Sequence, residues 1–201
     1  AGANLAEAGE PKYVDCPGGR VALIAASATF HESWAAGEQR YDMVGRPGLN
    51  PLRHRRMYRI SAEKLENLKA IAAVSRINEA RELSIRNGFQ VPDEEGVFRF
   101  GQHLFTVATP EEPEGEYTSP DPRDVKRIFR MIDEAKRQAD IVLISVHAHE
   151  FKDGDNDLPA DFLRQFARAC IDQGAHGFLG HGPHLVRGIE IYKNRPVFYS
   201  L

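Results

Sequence analysis

Three of the eight histidines sit where a chain can do chemistry. His147 follows the apolar run Ile141-Val142-Leu143-Ile144-Ser145-Val146, and His181 follows the short segment Gly177 to Leu179 and Gly180. In open α/β sheets ligands gather beyond the carboxyl ends of strands. Two strands that each end in an imidazole place borderline nitrogen donors in one crevice, a set suited to Zn, Mn or Fe. His184 joins them through Gly180-His181-Gly182-Pro183-His184, where the glycines permit a sharp turn and the proline stiffens it. His149 and Glu150 lie just beyond His147, close enough to orient a ligand or move a proton. Spacing alone leaves open the plainer reading of loop histidines with satisfied hydrogen bonds.

Other segments carry weaker signals. Arg46, Arg53 and His54, with Arg55, are suited to grip a phosphate or carboxylate substrate, or else form a solvated basic loop. Glu190 lies near the second histidine motif, but alternation over Gly188 to Tyr192 equally makes it the exposed face of a strand. Asp153-Gly154-Asp155-Asn156-Asp157 imitates a calcium loop, yet Leu158 stands where that loop needs glycine and Arg164 where it needs a bidentate glutamate. Calcium is not expected.

The elements that must position these residues alternate. Arg20 to Phe30 reads as a strand buried on both faces, behind Pro17-Gly18-Gly19. His31 to Arg59 holds no period and reads as a long loop broken by Gly45-Arg46-Pro47-Gly48. Ser61 caps one long amphipathic helix through Leu65, Leu68 and Ala72 to Asn87-Gly88. Residues 97–100 and 103–108 form a strand pair around Gly101-Gln102, and the acidic stretch 111–121 is expected as a solvated loop. A second helix starts near Pro122 and runs to Gln138, with Val125, Ile128, Ile132 and Ala135 on one face. A third, from about Pro159, buries Phe162, Phe166, Ala169 and Cys170 and stops at Gly174. Short strands follow at 177–179, 189–192 and 196–199. Such alternation predicts an α/β sheet system.

Composition narrows the partners. The chain has 201 residues, 42% hydrophobic and 27% charged, enough to bury a core. Its formal net charge of -3 supplies no field to draw it onto nucleic acid or an anionic membrane. The longest apolar stretch is far short of the roughly 20 residues that cross a bilayer. Cys16 and Cys170 lack metal-ribbon spacing and read as small buried side chains.

Val146-His147-Ala148-His149-Glu150, Gly180-His181-Gly182-Pro183-His184, Arg187-Gly188-Ile189-Glu190-Ile191-Tyr192 and Pro196-Val197-Phe198-Tyr199-Ser200-Leu201 resemble the C-terminal motifs of the CapA family. That family is named for capsule poly-γ-glutamate synthesis and falls within the calcineurin-like metallophosphatase superfamily. Gly2 to Ala8 and the strand from Val21 resemble its middle, and Gly45 to Arg53 resembles a loop found in one branch of it. Ala148 and His149 stand where much of the family has tryptophan and glycine. The family's aspartate and Asn-Asn-His motifs precede residue 1, and its Gly-Asn-Phe follows Leu201, so the chain is read as one domain, 1–201, cut at both ends.

The resemblance implies a layered helix–sheet–sheet–helix architecture, incomplete in this piece. It also implies His147, His181 and His184 as metal ligands, with two divalent Mn, Zn or Fe ions in the complete protein. His149 and Glu150 take the proton-moving role. A pair of such ions needs bridging carboxylate or hydroxide, which three neutral imidazoles do not supply. The activity expected is hydrolysis of a phosphoester or a peptide or amide bond in a small-molecule, peptide or anionic polymer substrate. Peptide epimerisation on the same ions, or a non-catalytic polymer-binding or assembly role, are the alternatives.

Overall fold

The computed structural model describes residues 1–201. The chain forms two compact units, one of Ala1–Arg55 with Ser119–Leu201 and the other of Arg56–Thr118. In order the elements are α1 (Leu5–Gly9), β1 (Lys12–Cys16), β2 (Gly19–Ser27), a 3-10 turn (Glu32–Trp34), β3 (His54–Ile60), α2 (Ala62–Ser75) and α3 (Glu79–Arg86). There follow β4 (Phe98–Phe100), β5 (His103–Val107), β6 (Gly115–Pro120), α4 (Pro122–Lys136), β7 (Ile141–His147), β8 (Phe151–Lys152), β9 (Asp155–Pro159), α5 (Asp161–Gln173), β10 (Gly177–His181), β11 (Ile189–Tyr192) and β12 (Arg195–Phe198). This is the expected α/β class, consistent with a metallophosphatase-like fold.

The first unit is built on a six-stranded sheet of order β1-β2-β7-β10-β12-β11. Its four inner strands are parallel and the two edge strands antiparallel. Side chains alternate across a strand. One face carries Ala22, Ile24, Val142, Ile144, Val146, Phe178 and Val197, all fully buried. Onto it pack α4 and α5, which bring Ile128, Ile132, Ala135, Phe162, Phe166 and Cys170. Each large side chain so buried stabilises the fold by about 1.5–3 kcal/mol. Asp121 caps α4 by accepting from the Arg123 N–H, with Pro122 in the first turn, where its missing donor is harmless. Gly174, at φ +111°, ends α5 in a conformation few other residues adopt.

The opposite face is apolar but open. Leu23 and Ile141 are about two-fifths exposed there, so β2 is buried on one face rather than both. A parallel inner strand needs cover on both sides to read as fully buried, and only the helical side of this one has it.

Other expectations change in detail. β3 begins inside the segment read as loop, because Arg55, Met57 and Arg59 alternate with Arg56, Tyr58 and Ile60 without an apolar period to announce it. The single helix after Ser61 is two, broken at Arg76, whose φ of +56° no helix interior tolerates. Part of the acidic stretch is β6, whose neighbourhood pairs its acids: Glu112 with Arg59, Glu114 with Lys64 and Glu116 with Arg56. In the 161–173 helix Ala167 rather than Ala169 is buried, and Cys16 is exposed while Cys170 is buried. The second unit's sheet has the order β4-β5-β3-β6, with β4 and β5 antiparallel around Gly101 as expected.

Candidate functional site

Three parallel strands deliver their carboxyl ends to one place. Register sets Ser27 of β2 beside His147 of β7, and His147 beside His181 of β10. The ladder continues past the strands, since the Ala28 N–H donates to the His147 carbonyl at 2.8 Å and the Ala148 N–H to the His181 carbonyl at 2.9 Å. Val146 and Ala148 are buried toward the helices, so alternation turns His147 to the other face, together with Ser145.

Four imidazoles form a row there. Ring centroids are 5.3 Å apart for His181 and His147, 4.8 Å for His147 and His149, and 5.3 Å for His149 and His184. His149 therefore stands within the row, between His147 and His184, and not outside it. Gly182 makes the return of His184 possible. Its φ is +126°, and a Cβ on it would lie 3.1 Å from His147 Cε1 and 3.2 Å from His149 Cδ2. His184 itself is left-handed at φ +60°.

The ring nitrogens meet in pairs. His147 Nε2 is 3.1 Å from His149 Nε2, and His147 Nδ1 is 3.4 Å from His181 Nδ1. Ser145 Oγ is 3.1 Å from His181 Nε2. Two donors bound about 2.1 Å from one ion lie about this far apart. The two pairs use opposite nitrogens of His147, so no three such side chains converge on a single point. Burial, reinforced by the neighbouring His149 and His181, holds the His147 pKa below the ordinary imidazole value, with Glu150 opposing. A neutral imidazole keeps a lone pair for a cation, so the donor chemistry of the row fits a borderline divalent metal.

Two residues that sequence reasoning missed shape the segment after His147. Thr29 lies just past the end of β2; its hydroxyl donates to the Glu150 carboxylate at 2.9 Å and accepts from the His149 N–H at 2.8 Å. Its place just past the end of β2, like that of His147 and His181 at the ends of β7 and β10, is the signal that marks it in the sequence. Arg187, only 2% exposed, sends Nε to the Asn156 carbonyl at 2.9 Å and Nη1 to the Glu150 carbonyl at 3.0 Å. Its Nη2 lies 3.4 Å from the His149 carbonyl. Asn156 belongs to the β8–β9 hairpin, whose turn is Asp153-Gly154 with φ of +54° and +75°. The imitation calcium loop is thus a tight hairpin turn.

Arg46, Arg53 and His54 make their contacts away from the histidine row. Arg46 donates Nε and Nη2 to the Ala35 carbonyl at 3.0 and 2.8 Å. Arg53 bridges Glu32 and Asp124. His54 stacks on Phe162, centroids 4.2 Å apart. Glu190 is half-buried, accepting from Arg168 Nε at 2.9 Å and from the Tyr199 hydroxyl at 2.5 Å. Burial, and then that bond, push the Tyr199 hydroxyl up to about 12.

A family model described as bacterial capsule synthesis protein PGA_cap matches residues 1–201. Two uncharacterized proteins of Sinorhizobium fredii (strain NBRC 101917 / NGR234), y4sH and y4uA, are each 34% identical over 200 residues, covering 100% of this chain and 40% of theirs. The PGA biosynthesis protein CapA of Bacillus subtilis (strain 168) is 46% identical over 80 residues, 40% of this chain and 20% of that protein. The chain thus spans 40% of the length of the relatives that it matches from end to end.

Proposed function

Because the chain belongs to the bacterial capsule synthesis family PGA_cap, we propose that it carries the histidine side of a metal-dependent hydrolase acting on a phosphoester or amide bond in poly-γ-glutamate capsule or cell-envelope metabolism. The observation that supports this reading is the row of four imidazoles at the ends of parallel strands, where burial lowers the His147 pKa. His147, His181 and His184 would supply imidazole ligands to the metal, although their ring nitrogens do not converge on one point in this structure. A bound Mn, Zn or Fe ion lowers the pKa of water and polarises a phosphoryl or carbonyl oxygen, and the superfamily resemblance implies two such ions. Glu150, oriented by the Thr29 hydroxyl, takes the proton of the attacking water on a carboxylate oxygen. His149 delivers a proton to the leaving group from a ring nitrogen. Arg46, Arg53 and His54 supply the basic side toward the anionic groups of the substrate. No helix is long and apolar enough to cross a membrane.

Metal analysis of the intact protein and mass spectrometry of a γ-linked oligoglutamate test the reading together. His147→Ala should empty the metal site. Glu150→Gln should keep the metal and lower turnover by about 10² to 10⁴. Loss of metal from Glu150→Gln would make that residue a ligand. A product of unchanged mass and inverted Cα would replace hydrolysis by epimerisation, and intact protein with neither metal nor turnover would leave a binding or assembly role.

A further inference from the structure

Ser145 is out of keeping with its surroundings. Side chains alternate across a strand, so it lies on the face of β7 turned away from the helices, with Ile141 and Leu143 behind it and His147 ahead. Register puts Ala25 of β2 on one side of it and Leu179 of β10 on the other. Up to the level of His147 this face of the three strands is otherwise apolar, and a valine would suit the pleat better than a serine. A hydroxyl at this one position points to a use other than packing.

Its partner belongs to the imidazole row. Ser145 Oγ lies 3.1 Å from His181 Nε2, reaching diagonally past Leu179 to the residue two positions further along β10. The other nitrogen of that ring, Nδ1, faces His147 Nδ1 at 3.4 Å. A neutral imidazole has one N–H and one lone pair, on different nitrogens. When Nε2 carries the proton and donates it to Ser145 Oγ, Nδ1 is bare. Histidines that bind metals use such a bond from the second ring nitrogen to fix the tautomer and the plane of the ring. His181 is exposed, so its ring depends on polar contacts to keep one orientation. Nε2 faces the apolar part of the sheet and Nδ1 faces the rest of the row, so the tautomer decides whether the lone pair of His181 is shared with the other imidazoles.

Resting on the metal reading above, we propose that Ser145 is a positioning residue: it accepts the Nε2–H of His181 and so leaves Nδ1 as the nitrogen offered to the ion. Ser145 acts through the ring and is not itself a ligand.

The test uses the full chain and needs no turnover. With metal removed by EDTA, above the imidazole pKa range, long-range proton–nitrogen correlations should show His181 as the Nε2–H tautomer. Ser145→Val deletes the hydroxyl and Ser145→Thr keeps it, on branched side chains that both suit a strand. The Val variant should move the His181 Nε2 resonance and leave that of His184 in place. Zinc affinity, read by competition with a chromophoric chelator, should fall by about 10- to 100-fold in Ser145→Val and recover in Ser145→Thr. Ser145→Ala, which adds no bulk, should match Ser145→Val. In the zinc-loaded parent His181 should be bound at Nδ1 with Nε2 still protonated. An Nδ1–H tautomer in the metal-free parent, zinc bound at Nε2, or Val and Thr variants of equal zinc affinity overturns the assignment. A parent that binds no zinc defeats the hydrolase reading and the role that rests on it, whereas a parent and a Val variant that bind zinc equally well defeat the role of Ser145 alone.

Discussion

Removing the Arg187 guanidinium tests what holds the His149–Glu150 segment in place. Two of its bonds are well made, to the Asn156 carbonyl at 2.9 Å and to the Glu150 carbonyl at 3.0 Å. The two at 3.4 Å, to the His149 carbonyl and Asn156 Oδ1, are marginal. A hydrogen bond from a charged donor contributes about 1.5–3 kcal/mol, so the good pair contributes about 3–6 kcal/mol before the loss of water from the ion is counted. That loss is real: burial dominates the downward push on the Arg187 pKa, against the pull of Glu150 and Asp157. Burying an ion costs several kcal/mol after relaxation, which leaves a net destabilisation of about 2–3 kcal/mol for Arg187→Ala. Arg187→Met keeps the stem and its packing, and should lose about 1–2 kcal/mol, the penalty of stranded carbonyls. Urea denaturation reads the stability, and the imidazole Cε1–H resonances read the row. Both variants should shift the His149 and His147 signals while the His176 signal stays in place. A Met variant as stable as the parent with all imidazole signals unmoved would refute the reasoning, because the carbonyl bonds would then hold nothing.

Gly182→Ala should disturb the row without unfolding the core: its Cβ would press on His147 and His149 at 3.1 and 3.2 Å and sit at an unfavourable φ. Zinc affinity, followed by competition with a chromophoric chelator, should fall by at least tenfold, and unchanged affinity would show that the close approach does not position the imidazoles. Stability should also decline as pH drops below about 6.5, the ordinary histidine value. His147 and His176 both have pKa values lowered chiefly by burial, so the unfolded chain binds their protons first; the penalty is absent above that pH and grows as pH falls toward the folded values. Urea midpoints between pH 7.5 and 5.5 measure it, and a slope unchanged by His176→Gln would remove His176 from the account. Carboxylates held low, such as Asp93 beside Arg99, act only in a more acidic window.

Legibility followed periodicity. The α4 and α5 faces and the strands β7 and β10 announced themselves because each buries a regular stripe, and the histidines were visible because they sit directly after those strands. β3 was hidden because its face is a mixture of arginines with Met57, Tyr58 and Ile60, stabilised by neighbours that composition does not reveal. The break at Arg76 was hidden because an arginine in a left-handed conformation leaves no mark in a sequence where glycine would have. Thr29 and Arg187 act through backbone groups of residues more than thirty positions away, and local pattern carries no information on such pairings. The basic segment was visible as charge, but the split of Arg53 between an interior and an exposed carboxylate depends on where Asp124 falls on α4.

The order of the strands along the chain has a kinetic meaning. The Arg20 N–H and Asp140 are joined at 2.7 Å although 120 positions separate them, and everything between, including the unit Arg56–Thr118, lies inside the loop that the β2–β7 pairing must close. The entropy of such a closure rises by only about 0.6 kcal/mol per doubling of length, but pairing of this range is slow to find. β3 and β6 are neighbours, and the Asp121 N–H donates to the Arg53 carbonyl at 2.8 Å, so the chain enters and leaves that inserted unit side by side. A chain in which Arg56–Thr118 orders first has only two short tethers left to close. The Thr29 bonds that fix His149 and Glu150 form only when β7 has found β2, so the pace at which that segment is set depends on a unit that gives the row no ligand.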